Sequence, residues 1–310
     1  MKKALLFYFS GTGGTALCAS FFAKHLSEEG YSVDLYEMSL PLKPVPDVEG
    51  YDLLGFGYPI HAFNTPLTFI NFVRKNIKKA CKPYFFFKVS GEPFHFNDSS
   101  SHKLYRILKK KGYRFVMEKH FLMPYNIMFR YPDALAKQMY LYLDALTQAM
   151  AIRLAKGEVD RPHYPLRHQC LSWLLRIEWI APQVNSWFTY TKKKKCIHCN
   201  LCLKNCPNQA VYLNKKGQIR INSKCSLCMR CVVNCPVDAF HFGFLNNWKV
   251  VGGFNYPKLL NDPTIPDYHV YWGVKDYFRH FRKYFDAQDA YLAKYGIAIP
   301  VKYPEKPVEK

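Results

Sequence analysis

The sequence predicts an α/β fold: a doubly wound parallel sheet of five strands, then a small α+β unit rich in cysteine, then an irregular or helical C-terminal tail. Three observations carry the prediction. Short apolar runs alternate with helix-like segments over residues 1–157, eight of the 11 cysteines fall within 196–235, and an aromatic, proline-containing stretch follows Gly252 and Gly253.

Strands are expected at 4–9, 32–36, 52–57, 84–89 and 114–121, with helices near 15–29, 66–78 and 101–111 between them. A closing helix is expected at 133–156, where Leu135, Met139, Leu143, Leu146, Met150 and Leu154 recur at steps of three and four and make one apolar face. In such a plan ligands sit beyond the carboxyl ends of the strands. Residues 158–191 read as a linker: EVDRPHYP is a turn-rich break, and LSWLLRIEWIAPQVNSWFTY is amphipathic or buried. That stretch approaches a membrane span, but Arg176, Glu178, Pro182, Gln183 and Asn185 interrupt it, so it is not transmembrane. The four lysines at 192–195 read as solvated chain. The cysteine unit is placed at 192–243 and a C-terminal extension at 244–310, with a helix-like stretch at 274–293.

The chain has 310 residues, enough for two domains, and a formal charge of +21. Lys2 and Lys3 ahead of ALLFYF mimic the start of a signal peptide, yet the apolar run is short and no cleavage site follows, so a first strand and a cytoplasmic protein are expected. A basic balance points to nucleic acid, an anionic membrane surface or an acidic protein. Nucleic acid is not expected, because the basic residues are spread along the chain without a recognition motif. An acidic redox partner fits better, with peripheral membrane contact as a further use of the charge.

CIHCNLCLKNCP at 196–207 and CSLCMRCVVNCP at 225–236 both read C-x2-C-x2-C-x3-C-P. Three thiolates at this spacing on a tight loop can hold three corners of an iron-sulfur cube. Zinc also binds paired CxxC elements, but a third cysteine and a trailing CP, both repeated, exceed what one tetrahedral ion needs. Disulfides do not suit the expected compartment. The repeat resembles the two-cluster bacterial ferredoxins over about 50 residues, and in those proteins the fourth cysteine of each run ligates the other cluster. Carried over, that behaviour assigns Cys196, Cys199, Cys202 and Cys235 to one [4Fe-4S] cluster, and Cys225, Cys228, Cys231 and Cys206 to the second. His198 is expected at the surface, where it can at most tune a cluster by hydrogen bonding. Cys18, Cys81 and Cys170 read as ordinary buried residues.

The first predicted strand ends in SGTGGT and runs into ALCASFFAKHL, the geometry of an anion cradle. Gly11, Gly13 and Gly14 let the backbone approach a phosphate, and the hydroxyls of Ser10, Thr12 and Thr15 add neutral donors. No lysine is present, unlike a P-loop, and Glu37 has no clear role of the kind a dinucleotide site requires. Neutral donors suit a dianionic monophosphate, although such a turn can also be a plain strand-to-helix connection.

The order (F/Y)-x-S-x-T-G-x-T at 8–15 resembles the phosphate loop of flavodoxins, which bind FMN. GFGYPIHAFNTP at 55–66 and VSGEPFHF at 89–96 fall where those proteins flank the isoalloxazine ring. The resemblance implies FMN contacts from Tyr58, Pro59, Ile60, His61, Phe63, Ser90, Gly91 and Glu92, with Phe94 and Phe96 as further stacking groups. Together the two resemblances identify a flavodoxin-ferredoxin fusion, implying an electron-transfer protein that passes single electrons between FMN and two [4Fe-4S] clusters. Whether it also acts as an FMN-dependent oxidoreductase stays open. The alternative is a two-cluster ferredoxin whose flavodoxin-like domain lacks FMN and docks a partner.

Overall fold

The computed structural model describes residues 1–305, with 177 and 178 described by their backbone alone. The chain begins β1 (Lys2–Tyr8), α1 (Gly14–Glu28), β2 (Tyr31–Glu37), β3 (Leu53–Pro59), α2 (Leu67–Asn76), β4 (Pro83–Ser90), α3 (His102–Lys110), β5 (Arg114–Leu122) and α4 (Asp133–Ala155). The five strands are all parallel in the order β2-β1-β3-β4-β5. The strand order reverses between β1 and β3, and their carboxyl ends open the crevice that the topology reserves for ligands.

Both faces of the sheet are covered, which is why β1 and β4 read as nearly unbroken apolar runs. Along β1, Ala4, Leu6 and Tyr8 face Cys18, Phe22 and Leu26 of α1 and the stripe of α4. The alternate residues Leu5 and Phe7, continued by Phe9, face Phe69, Phe72 and Val73 of α2 and Leu104 and Leu108 of α3. Each such side chain taken out of water contributes roughly 1.5–3 kcal/mol, so the two-sided burial fixes the strand register.

Two short helices, α5 (Leu166–Leu174) and α6 (Ala181–Trp187), follow. The Trp-containing stretch is therefore amphipathic in an inverted sense: His168, Ser172, Asn185 and Ser186 are buried while Leu166, Trp173, Leu174, Val184 and Trp187 are exposed. No helix of the described residues is long and apolar enough to cross a membrane.

The cysteine unit holds β6 (Thr189–Thr191), α7 (Leu201–Lys204), β7 (Val211–Leu213), β8 (Ile219–Ile221), α8 (Arg230–Val233) and β9 (Phe240–Phe242). Its strands form an antiparallel sheet in the order β7-β8-β6-β9, so its first strand is drawn from the stretch read as linker. The repeat is written in the backbone as well as in the sequence. His198, Asn200 and Gln209 have positive φ angles of 53°, 58° and 50°, and Leu227, Met229 and Asp238, each 29 residues on, have 52°, 60° and 45°.

The C-terminal extension contains α9 (Tyr256–Asn261) and α10 (Arg282–Lys294). It returns to the first domain: Val270, Phe278, Phe281, Phe285, Leu292 and Val301 are buried in the same core as α1 and α4. The Gln138 side chain, buried in α4, binds Val270 through both its amide oxygen and nitrogen, at 2.9 and 3.0 Å. Of the three cysteines outside the repeat only Cys18 is buried. Cys81 lies on the exposed connection into β4 and Cys170 on the outer face of α5, which corrects the expectation of three buried thiols.

Candidate functional site

A cleft of about 580 Å³ opens at the carboxyl ends of β1, β3, β4 and β5. That lies within the usual range for small-molecule sites. Its walls come from the loop after β1 (Gly11 to Thr15), the loop after β3 (Pro59, Ile60, His61, Phe63), the loop after β4 (Ser90, Gly91, Glu92, Phe94) and residues 123–128 after β5.

Gly13 enters α1 with φ +105°, a conformation that disfavours any side chain, and a Cβ there would meet nothing within 4 Å. The amino end of the 15-residue α1 carries no acidic side chain in its first turn. Its peptide dipoles and the Thr12 and Thr15 hydroxyls thus offer an anion neutral donors only. Ser10 does not reach the cleft: it is 1% exposed, and its Oγ accepts the Ala16 N–H at 3.3 Å. It fixes the turn from beneath, a correction to its expected place among the contact residues.

After β3 the chain closes a tight turn, with paired backbone bonds between His61 and Asn64 of 3.0 and 2.8 Å and positive φ at Ala62 and Phe63. The turn is held from outside by α5, because Ser172 donates to Asn64 Oδ1 and the Asn64 amide donates to the Ser172 carbonyl, both at 2.8 Å. Half-buried in the cleft wall, the His61 imidazole is desolvated and held below its ordinary pKa, which keeps it neutral. Tyr58 is turned away. The two-residue period of β3 puts its ring under the sheet, fully buried against Phe69 and Phe86. Phe96 likewise packs on His168 and Phe63, and does not line the cleft.

After β4, the Ser90 hydroxyl donates to the Glu92 carbonyl and His120 Nε2 lies 2.7 Å from the same hydroxyl. Gly91 has no room for a side chain, since a Cβ would fall 2.3 Å from the Tyr125 ring. The Glu92 carboxylate is 2% exposed and receives Tyr277 Oη at 2.9 Å, Tyr131 Oη at 3.3 Å and His280 Nε2 at 2.7 Å. Two of these partners come from the C-terminal extension. The sequence pattern carried no sign of that contact, because nothing local predicts where the extension at 244–310 returns.

The β5 loop was also missed, although the rule that ligands gather beyond the strand ends points to it. Met123 N–H donates to the Ser90 carbonyl at 2.9 Å, and Asn126 Nδ2 lies 3.4 Å from both Thr12 Oγ1 and the Cys228 carbonyl.

That last contact joins the cleft to the cysteine unit. Arg230, inside the second cysteine run, donates to the carbonyls of Ser10 at 2.6 Å and Gly11 at 2.8 Å, and pairs with Glu37 at 2.6 Å. The eight cysteines of the repeat are unpaired and surround two separate cavities. Cys196, Cys199, Cys202 and Cys235 line one, and Cys206, Cys225 and Cys228 line the other, with Cys231 on the wall between and bordering both. Each set rings a void instead of closing on one point; among the described residues no three His, Cys, Asp or Glu side chains gather as ligands of a single ion. Backbone N–H groups of Ala210 and Ala239 donate to the sulfurs of Cys206 and Cys235 at 3.2 and 3.3 Å, again 29 residues apart. Cys228 of the Cys206 set lies against the loop that walls the cleft, and in the Cys196 set Ile197, His198 and Cys199 are exposed.

A family model for a flavodoxin domain matches residues 5–176, and one for a 4Fe-4S dicluster domain matches residues 195–239. None of the curated proteins matches the chain. Similar solved structures include oxidised flavodoxin 2 from Bacillus cereus, at 18% identity over 50% of this chain and 98% of that one, with a TM-score of 0.36. A flavodoxin from the domain Archaea matches at 13% identity over 50% and 99%, with a TM-score of 0.35. A flavodoxin, WrbA-like protein from Agrobacterium tumefaciens matches at 14% identity over 51% and 99%, with a TM-score of 0.37.

Proposed function

The chain belongs to the flavodoxin family and carries a 4Fe-4S dicluster domain behind its flavodoxin domain, and from that premise we propose that it holds FMN and two [4Fe-4S] clusters and passes single electrons between them. The observation that carries the reading is the contact of Cys228 with the loop after β1. A Cβ added to Gly11 would lie 2.5 Å from the Cys228 carbonyl oxygen, so one cysteine set is seated directly on the wall of the cleft.

FMN supplies a centre that takes electrons in pairs and releases them singly. The chain's own residues fit that group. Thr12, Gly13, Gly14 and Thr15 at the amino end of α1 would hold a monophosphate, and Pro59, Ile60, His61, Phe63, Ser90, Gly91 and Glu92 would line the ring. The packed tail behind Glu92 keeps water from the inner wall, and His280 Nε2, 2.7 Å from the Glu92 carboxylate, fixes that side chain in place. Cys225, Cys228, Cys231 and Cys206 would carry the proximal cluster, and Cys196, Cys199, Cys202 and Cys235 the distal one.

In this reading the distal end meets the redox partner. The exposed Cys199 and Lys204 of that end favour an acidic protein there, and nucleic acid plays no part. Two clusters of about −2 each and a phosphate of about −2 still leave a charge of about +15. The domains we assign are 1–157, 158–191, 192–243 and 244–310, with β6 at the end of the second lent to the sheet of the third, and the compartment is the cytoplasm.

The test is an anaerobic preparation assayed for iron, acid-labile sulfide and acid-released flavin per chain. About eight irons with about one FMN supports the reading. About eight irons with no flavin, even after FMN is added, would leave a dicluster protein with a docking domain and overturn the flavin half.

A further inference from the structure

We propose that the inverted helices α5 and α6 form a surface that seats this protein on an anionic lipid bilayer. The observation is the reversal of the normal amphipathic rule. A helix of a soluble domain turns its apolar stripe inward. Here His168 and Ser172 of α5, and Asn185 and Ser186 of α6 beside Pro182, are the buried residues. The apolar ones are left in water: Leu166 is 77% exposed, Trp173 and Leu174 66% each, Ile180 58% and Trp187 72%.

On the inward face Ser172 and Asn185 have specific partners outside their helices, so the orientation is built in. Ser172 and Asn64 exchange two hydrogen bonds, and the buried Asn185 amide reaches the Phe242 carbonyl at 3.4 Å while its oxygen accepts the Phe244 N–H at 3.0 Å. Rotating either helix to hide its apolar side would leave those buried groups without partners. The patch continues past the helices, because Phe188 packs on the exposed Phe244 with ring centroids 4.5 Å apart and Trp248 follows in the same turn of chain.

Charge selects the occupant. Over residues 161–195 there are seven basic residues and one acidic one, Glu178. Arg161 and Arg167 are exposed beside α5, and the exposed lysines at 192–195 begin one residue beyond the three-residue β6. At about 3.3 Å per residue that places the lysine run roughly 10–15 Å from Phe188. Exposed Trp, Leu and Ile with a basic flank suit a lipid interface, where indole rings settle at headgroup level and lysines meet acidic phosphates. An acidic protein would satisfy the lysines but would give no reason for two outward tryptophans and four outward aliphatic side chains. The surface needs neither flavin nor clusters, so it stands or falls apart from the proposed electron transfer.

The experiment is co-sedimentation of the full holoprotein with phosphatidylcholine vesicles, and with vesicles containing about a third phosphatidylglycerol, at low salt and at about 0.5 M salt. The expected result is binding to the anionic vesicles only, weakened by salt, and lowered about tenfold or more in the triple variant W173S/L174S/W187S. Iron content and circular dichroism show whether that variant folds. If it does not, the wild-type protein answers alone: brominated lipids should quench its tryptophan emission, because the wedge enters the acyl boundary. Absence of binding to anionic vesicles, equal binding to neutral ones, or binding without quenching would overturn the proposal. So would a self-associating wild type whose dimer, and not its vesicle binding, is lost in the variant.

Discussion

Arg230 of the cysteine repeat forms an ion pair of 2.6 Å with Glu37 at the end of β2. The same guanidinium bonds the Ser10 and Gly11 carbonyls, so one side chain fastens the proximal cysteine set to the loop that closes the cleft. Arg230 is 17% exposed at its side chain, so water screens the pair only in part.

Replacing this fastener should separate the two functions without destroying either. Arg230→Ala removes bonds from a charged donor to four acceptors, the Ser10, Gly11 and Asn205 carbonyls and the Glu37 carboxylate, each worth roughly 1.5–3 kcal/mol when well shielded and less here. The expected outcome is unchanged iron content with electron transfer between the flavin and the clusters slowed at least about tenfold. Arg230→Lys should rescue little, because a single ammonium cannot match the fork that reaches both carbonyls and Glu37.

Gly11→Ala tests the contact by adding one methyl group. Its Cβ would meet the Cys228 carbonyl oxygen at 2.5 Å and Cys228 Cβ at 3.3 Å, so backbone must move. A cost of roughly 1–3 kcal/mol is expected, read as a lower thermal midpoint. Proteolysis between the domains should also become faster. Gly13→Ala should weaken flavin binding by a different route, through its φ of +105° with nothing nearby to clash.

The crossed cysteine assignment predicts which cluster each fourth cysteine serves. Cys235→Ser should remove the distal cluster and Cys206→Ser the proximal one, leaving about four irons in either case. Electron paramagnetic resonance distinguishes the survivors. The Cys206 variant should lose rapid exchange with the flavin, because its set holds Cys228, which meets the loop after β1 at Gly11.

His25 gives a pH dependence. The ring, 5% exposed, is opposed in its protonation by burial, but the Asp144 and Glu28 carboxylates, each 2.7 Å away, more than offset this and raise its pKa above 6.5. A raised folded value means the unfolded chain binds fewer protons near neutrality. The stabilisation is therefore complete below pH 6.5 and fades as pH rises through the folded value. The thermal midpoint of His25→Gln should lie furthest below the wild type near about pH 6, and the gap should narrow towards about pH 9.

Local pattern sufficed wherever burial is two-sided or a repeat is strict. The five strands and α1 to α4 lie within about two residues of their expected spans, and the cysteine runs needed only their spacing. Pattern failed where a side chain's role depends on distant chain. Tyr58 sits in a ring-flanking segment, but strand alternation sends it under the sheet. Ser10 belongs to the loop motif yet braces it from below. His280 and Tyr277 reach Glu92 across more than 180 residues of sequence, and Asn126 reaches Thr12 across 114. Such contacts follow from packing the extension and the cysteine unit onto the sheet, which no window of local sequence encodes. The linker was the sharpest departure, because α5 and α6 keep their helical period while reversing which side faces in.

The proposed function rests on exchange of electrons between the flavin and the proximal cluster inside one chain. Flash reduction of the flavin in anaerobic holoprotein, followed by the absorbance of the clusters, tests it most directly. Cluster reduction is expected in a first-order phase whose rate does not change with protein concentration. Cluster reduction whose rate rises in proportion to protein concentration, or flavin that stays reduced beside oxidised clusters, would contradict it.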